Sequence, residues 1–344
     1  MNRLRLPAEW EPQAAVLLSW PHEDTDWRDM LHWAQSTFVG LVQAIAPRAE
    51  VIIVAPDVSV PLSQIPEETL RRCRCIQMPT DDTWARDFGV ITTIGPDGKP
   101  IANDFQFNGW GLKFASSHDN LINSRLVECG AIDKSTYANR LSFVLEGGSI
   151  ESDGEGTLLT TSECLLSPNR NGGMSKVQID SELREYFGSE KVIWLDHGFL
   201  QGDDTDSHVD TLARFMPGHA IAYSSCDDPD DIHYEALRAM EAELRHATDC
   251  QGRPYRLVPL HIPSPIRSIA GGDRLPGTYA NLLIINGAIL MPTYGDAVWD
   301  KANADILARE FPDYEVVCVD CRALIEQHGS LHCVTMQLPA GLIK

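Results

Sequence analysis

Basic residues are scarce in this chain: 28 lysines and arginines stand against 49 aspartates and glutamates, for a formal charge of −21 over 344 residues. A phosphate-binding surface needs the opposite balance, so no nucleic-acid partner is expected. Long hydrophobic runs are also missing. The first apolar stretch, AAVLLSW at 14–20, is too short to span a bilayer. It follows PAEWEP rather than a basic leader, so it reads as neither a signal peptide nor an anchor; no membrane partner is expected, and the cytoplasm is the expected location. Paired cysteine motifs are lacking too. The nine cysteines include one CxxC, Cys318 to Cys321. Adding His332 and Cys333 does not complete a zinc site, because adjacent strand residues point to opposite faces. The thiols are expected to be reduced and mostly buried.

What is present is ordinary globular composition, 43% hydrophobic, with length for one large domain or two smaller ones. After the short strand at 14–20, Trp27, Leu31, Ala34, Phe38, Leu41, Val42 and Ile45 recur at three- and four-residue steps. They mark one face of a helix that Asp24 or Thr25 can cap and Pro47 can end. EVIIVAP (50–56) reads as a buried strand. Further helices are predicted near 117–133, 178–187, 230–247 and 296–311, with strands at 192–194 and 314–319 after two of them. Alternation of this kind predicts an α/β protein.

Four hairpin patterns add more: GVITTIG-PDGK-PIANDF, SIES-DGEG-TLLTT, TLARFM-PGH-AIAYSS and NLLII-NG-AILMPT. Each has a turn signal between two strand-like runs. A chemically capable residue stands at or just before the first strand of each: Asp87, Glu146, the pair His208/Asp210, and Asn281. Cys333 takes that place as the first residue of a fifth strand-like run, CVTMQLP. The steps between these positions are 59, 62, 73 and 52 residues, as for five divergent copies of one unit. If the units close in a ring, the five positions converge on one pocket, and AAVLLSW supplies the strand the last unit lacks.

The densest of these positions is GDDTDSHVD, 202–210. On a strand, His208 and Asp210 would share a face. Cys333 is the candidate strong nucleophile, provided its thiol pKa is lowered. His208 can give a proton to a leaving nitrogen and later take one from water. Two carboxylates, Asp87 and Asp210, suit a planar cation rich in N–H donors, which is a guanidinium. The acidic loop 203–206 can also be read as a solvated turn or a weak calcium site.

PAEWEP (7–12), SWP (19–21), WARDFG (84–89), FNGWG (107–111), EGG (146–148), LSPNRN (166–171), GDDTDSHVD, YANLLIING (279–287) and HC (332–333) together resemble the agmatine deiminase and bacterial-type peptidylarginine deiminase family. The resemblance runs over nearly the whole chain. It implies a single domain, 1–344, with the pentein fold, a five-bladed α/β propeller of pseudo-fivefold symmetry. It implies a hydrolase that removes ammonia from a guanidine, foremost agmatine to N-carbamoylputrescine, without cofactor or metal. On matching motifs, Cys333 attacks, Asp87 and Asp210 grip the guanidinium, Glu146 and His208 manage protons, Trp84 walls the methylenes and Asn281 lines the pocket. Asp204 or Asp206 would receive a distal cation; that expectation comes from the acidic cluster alone.

Several alternatives stay open. Peptidyl-arginine or another guanidine could be the substrate, an amine could replace water as acceptor, or the fold could be a silent binding scaffold. Agmatine deiminases of the family usually read Gly-Asn-Ile before HC, whereas this chain has Gly329, Ser330 and Leu331, which alters the approach to the nucleophile. Loops 108–120 and 268–279 are candidate lids. A monomer or a homodimer fits the composition.

Overall fold

The computed structural model describes residues 3–343. It is a mixed α/β structure in which the strands form five small sheets, four of three strands and one of four. Every sheet repeats one plan: an antiparallel pair, then a further strand parallel to the second. The four predicted hairpins pair Ile91–Ile94 with Pro100–Gln106, Ile150–Ser152 with Thr157–Thr161, Ala213–Met216 with Ala220–Ser225, and Leu283–Ile285 with Ala288–Thr293. Their parallel third strands are Tyr137–Val144, Lys191–Leu195, Arg256–His261 and Glu315–Asp320. In the fifth sheet Met336–Pro339 runs antiparallel to Gln13–Ser19, followed by Glu50–Ala55 and Cys73–Gln77 in parallel. The N-terminal strand thus joins the last one, as expected from sequence.

Parallel neighbours require a crossover, and helix supplies each one. The longest helices of five crossovers are Leu31–Ile45, Ile122–Glu128, Lys176–Phe187, Tyr234–His246 and Trp299–Glu310, and the sixth, between Glu50–Ala55 and Cys73–Gln77, uses the short pair Ser59–Gln64 and Glu67–Leu70. The first buries the predicted face, Ala34, Phe38, Leu41, Val42 and Ile45, over strands such as Glu50–Ala55, whose Val and Ile side chains are covered on both sides. Two hairpin turns use left-handed backbone at both central residues, Gly218–His219 (φ 74° and 58°) and Asn286–Gly287 (φ 24° and 81°). That matches the twist of the strands they join.

Four local expectations are corrected. The first long helix begins at Leu31, after a 3-10 turn at Arg28–Met30, with no side-chain cap from Asp24 or Thr25. The helix predicted over 117–133 shrinks to Ile122–Glu128 after a 3-10 turn. Its early residues are used otherwise: the buried Asp119 carboxylate takes the N–H groups of Asp81 and Asp82 at 2.8 and 2.9 Å. His208 and Asp210 do not lie on a strand; Val209–Thr211 is a 3-10 turn. Cys333 sits in a turn ahead of Met336–Pro339, not inside that strand.

Candidate active site

The five sheets deliver their chemistry from equivalent places. Asp87 lies in the short helix Ala85–Phe88 ahead of one first strand, Glu146 precedes the 3-10 turn Gly147–Ser149 ahead of another, and His208 and Asp210 bracket Val209 before a third. Asn281 and Cys333 stand ahead of the remaining two. All six are buried.

Three of them meet over Gly148. A Cβ added there would lie 2.7 Å from His208 Nδ1, 2.9 Å from Asp87 Oδ1 and 3.0 Å from Asp210 Oδ2, so only a glycine leaves room for this meeting. The Gly148 N–H donates to Asp87 Oδ1 at 3.0 Å, and Trp110 Nε1 donates to Asp87 Oδ2 at 2.9 Å. Trp110 reaches that place on left-handed backbone (φ 54°) between two glycines, a strained geometry of the kind found at functional sites. Cys333 Sγ lies 3.4 Å from Asn281 Oδ1 and 4.0 Å from Asp210 Oδ2. Asp210 Oδ2 is 2.7 Å from His332 Nδ1. Two buried polar atoms of the group, His208 Nε2 and Asp210 Oδ1, have no hydrogen-bond partner.

Asp87, His208 and Cys333 line a cleft of ≈ 570 Å³ between the rings of Trp84, Trp110 and Phe114. Its other carboxylates are Asp26, Asp82, Asp203 and Asp204, His328 adds an imidazole, and among the described residues neither lysine nor arginine lines it. A larger cavity, ≈ 660 Å³, shares none of these residues; the N-terminal segment, Arg86, Glu151 and Gln337 help line it.

The electrostatics differ from the sequence expectation in one respect. Burial first, then Asp210 and Asp87, push the Cys333 thiol well above its ordinary range, with partial relief from the Ser330 backbone and Asn281. With no cation in the cleft Cys333 is therefore a thiol. Burial opposes charge on His208, yet Asp87, Cys164 and Glu146 outweigh it and hold the imidazole well above its usual value. Burial raises Asp87 to about 6, with His208 opposing the rise and Asp210 adding to it. For Asp210, burial is overcome by the hydrogen bond to His332 together with the charges of His208 and Arg214, so its pKa is lowered.

Other anticipated residues fall into two sets. Trp84 and Asp204 line the cleft. Asp206 does not: its carboxylate is taken by Lys113 and Arg170, each at 2.6 Å, so it is not free for a substrate cation. Glu146 lies behind the cleft, bound by Arg170 Nε at 2.9 and 3.0 Å. Asn281 touches Cys333 but does not line the cleft; its Oδ1 also accepts the His332 backbone N–H at 2.9 Å. The Ser330 hydroxyl turns away to Tyr294, 2.8 Å distant, and Ser330 does not line the cleft. Loop 108–120 contributes Trp110 and Phe114 to the cleft, whereas no residue of 268–279 lines it.

Trp110, Arg170 and His332 carry site geometry that sequence reasoning left unassigned. FNGWG and LSPNRN held the first two in recognisable motifs, and the third adjoins Cys333. Among the described residues, two clusters approach metal-ligand spacing: Glu146 with Cys164 and His208, and Glu9 with Glu151 and His332. Each already carries a buried guanidinium, Arg170 and Arg214 respectively, which opposes a further cation. In the acidic loop, Asp203 is spent on Ser207 N–H and Thr205 Oγ1 at 2.7 and 2.6 Å.

The profile of the Porphyromonas-type peptidyl-arginine deiminases matches residues 5–339. A Porphyromonas gingivalis protein of known structure, provisionally named an arginine deiminase, is 50% identical, over 99% of this chain and 100% of its own, with a TM-score of 0.94. The C. jejuni agmatine deiminase, solved with substrate bound, is 38% identical, over 98% of this chain and 97% of its own, at a TM-score of 0.90. The agmatine deiminase of Stutzerimonas stutzeri is 35% identical over 360 residues, 98% of this chain and 96% of its own. A dimethylarginine dimethylaminohydrolase, 10% identical with a TM-score of 0.51, shares the fold alone. Among the described residues no helix is long and apolar enough to cross a membrane. With a family match over almost its full length and relatives of equal span, the chain belongs to the Porphyromonas-type peptidyl-arginine deiminase family.

Proposed function

We propose that this protein hydrolyses the guanidinium group of a small cationic substrate, agmatine foremost, to the ureide and ammonia. The observation that carries this reading is the meeting of Cys333, His208 and Asp87 on an acidic cleft, with Asp210 just behind them at 4.0 Å from the Cys333 sulfur and, among the described residues, neither lysine nor arginine in the lining. The five sheets of one plan and the dimethylarginine dimethylaminohydrolase likeness support a pentein α/β propeller. In that reading residues 1–344 form one domain whose equivalent strand fronts face a common axis.

Ionised Asp87 and Asp210 hold the guanidinium, and Asp210 Oδ1 is free to accept one of its N–H groups. The bound cation offsets the two carboxylates that raise the Cys333 pKa, so substrate itself favours the thiolate and the thiol proton is released to solvent. The thiolate adds to the guanidinium carbon. His208, as imidazolium, protonates the departing nitrogen, and ammonia leaves an S-linked thiouronium. Neutral His208 then takes a proton from water, which adds to the same carbon; collapse restores the thiolate and releases the ureide. Glu146, fixed by Arg170, supports the positive charge on His208. Trp84 lies along the methylenes, and Asp204 receives the distal ammonium. Asp206 acts by anchoring Arg170 and Lys113.

The small substrate is favoured because Lys113 ties the loop bearing Trp110 and Phe114 to Asp204 O and Asp206 at 2.6 Å, narrowing the cleft mouth. Free arginine would bring its carboxylate against Asp82, Asp203 and Asp204. The test is ammonia release from agmatine, free arginine and a blocked arginyl peptide supplied separately. Turnover of agmatine above the others supports the assignment; turnover of the peptide alone moves it to peptidyl-arginine, and none with any guanidine favours a silent scaffold. Transfer of the amidino group to added amines without ureide would show that water is not the acceptor.

Two further results are expected from the same assay. Asp87 must be ionised to hold the substrate, and its pKa is raised to about 6. The carboxylate is therefore available above that pH and lost below it, so kcat/KM falls about tenfold per pH unit on the acid side. A flat profile down to pH 5 contradicts this. Gly148→Ala forces three reacting side chains apart and lowers kcat/KM by roughly 10² or more, with the circular dichroism spectrum retained.

A further inference from the structure

His332 adjoins the nucleophile in sequence, yet its ring faces away from the cleft lining and into a buried charged array. Nδ1 lies 2.7 Å from Asp210 Oδ2. Nε2 lies 3.0 Å from Arg214 Nη2 and 3.0 Å from Glu9 Oε2. Arg214 is fully buried, bridging Glu9 and Glu151 and donating to the Leu282 carbonyl at 2.5 Å. The His332 backbone is held as well, its N–H donating to Asn281 Oδ1 at 2.9 Å.

These contacts decide where the ring proton sits. A guanidinium only donates, so an Nε2 facing Arg214 must accept. Glu9 Oε2, the competing partner, is already engaged by Arg214. Burial and the positive charges of Arg214 and Arg86 keep the ring neutral. The single proton is then left on Nδ1, aimed at Asp210. We propose that His332 is a positioning residue for deimination: with its tautomer set by Arg214, it fixes Asp210 through Oδ2 and leaves Oδ1 turned to the guanidinium.

The proposal rests on the reading that Asp210 grips the substrate, and it makes a separable claim. Asp210 is faced by the neutral His332 ring, by His208, Arg214 and Arg86 on the positive side, and by Asp87 and Cys333 on the other. Without the Nδ1 donor, burial and Asp87 dominate, Asp210 becomes harder to ionise, and it loses its fixed orientation. An asparagine at 332 presents an N–H close to the place of Nδ1. A leucine fills the space and offers no donor.

The experiment compares kcat/KM for agmatine against pH in the wild type, His332→Leu and His332→Asn. The leucine variant is expected to lose about 10² in kcat/KM and, with burial no longer offset by the Nδ1 donor and Asp210 carried past Asp87, to show an acid limb displaced upward from the wild-type one. The asparagine variant should stay within roughly tenfold of wild type and keep the wild-type limb. Equal losses in both variants with an unshifted limb would mean a merely structural histidine and overturn the proposal; so would wild-type behaviour in both. The ¹⁵N spectrum of histidine-labelled wild-type protein reads the tautomer without any turnover, and so also covers variants that fail to fold. A neutral Nδ1–H ring at pH 7 supports the proposal, and an Nε2–H ring or an imidazolium overturns it. If the wild type turns over no guanidine, the function itself falls, and the spectrum still decides the His332–Asp210 contact.

Discussion

Cys333→Ser is expected to lower kcat by about 10⁴ or more while leaving substrate affinity within a few fold, as when a nucleophile is removed from an otherwise intact site. The loss should be large because the site already works against its own nucleophile. Burial, Asp210 and Asp87 push even the thiol upward, and a hydroxyl starts several units higher. His208, held as imidazolium, is in the wrong state to take the proton. Binding should survive because the guanidinium is held by Asp87 and Asp210, which the substitution does not touch. Calorimetric titration with agmatine and a single-turnover ammonia assay separate the two effects. Residual turnover within tenfold of wild type would show that another group attacks.

Arg170→Met should produce the largest change in stability. The Arg170 side chain is fully buried and serves two carboxylates, Glu146 on one side and Asp206 on the other. It also donates to the Thr205 carbonyl at 2.8 Å. Deleting one partner from such an array leaves a buried charge without compensation, a cost of about 3–5 kcal/mol. The urea midpoint should fall with an unchanged slope. Adding Glu146→Gln removes the stranded carboxylate and should recover part of the stability but none of the activity, because Glu146 supports His208. If the double variant is no more stable than Arg170→Met, the ion pair is not what Arg170 contributes.

Much of the fold was legible because its signals are local. Asn286-Gly287 and Gly218-His219 mark hairpin turns, since few residue pairs accept left-handed backbone twice in succession. The three- and four-residue steps of Phe38, Leu41, Val42 and Ile45 mark a helix face. The repeated spacing of Asp87, Glu146, His208, Asn281 and Cys333 anticipated five equivalent strand fronts. Where local reading failed, a partner distant in sequence had intervened. Asp119 was diverted from a helix to satisfy the backbone of residues 81 and 82. Asp206 was indistinguishable from Asp204 by type, yet it is claimed by Arg170, 36 residues away, and by Lys113, 93 away.

By itself the sequence determined the residue types able to do the chemistry, their order and their even spacing, and an acidic balance suited to a cation. Those properties depend on composition and short-range periodicity, which a linear chain carries openly. Only the tertiary structure decided which carboxylates are free, which are spent on arginines, and how each group is charged. Charge state follows from burial and from neighbours contributed by other sheets. For that reason Cys333 is a thiol, His208 an imidazolium, and Asp210 an ionised partner of His332, none of which spacing along a chain can express.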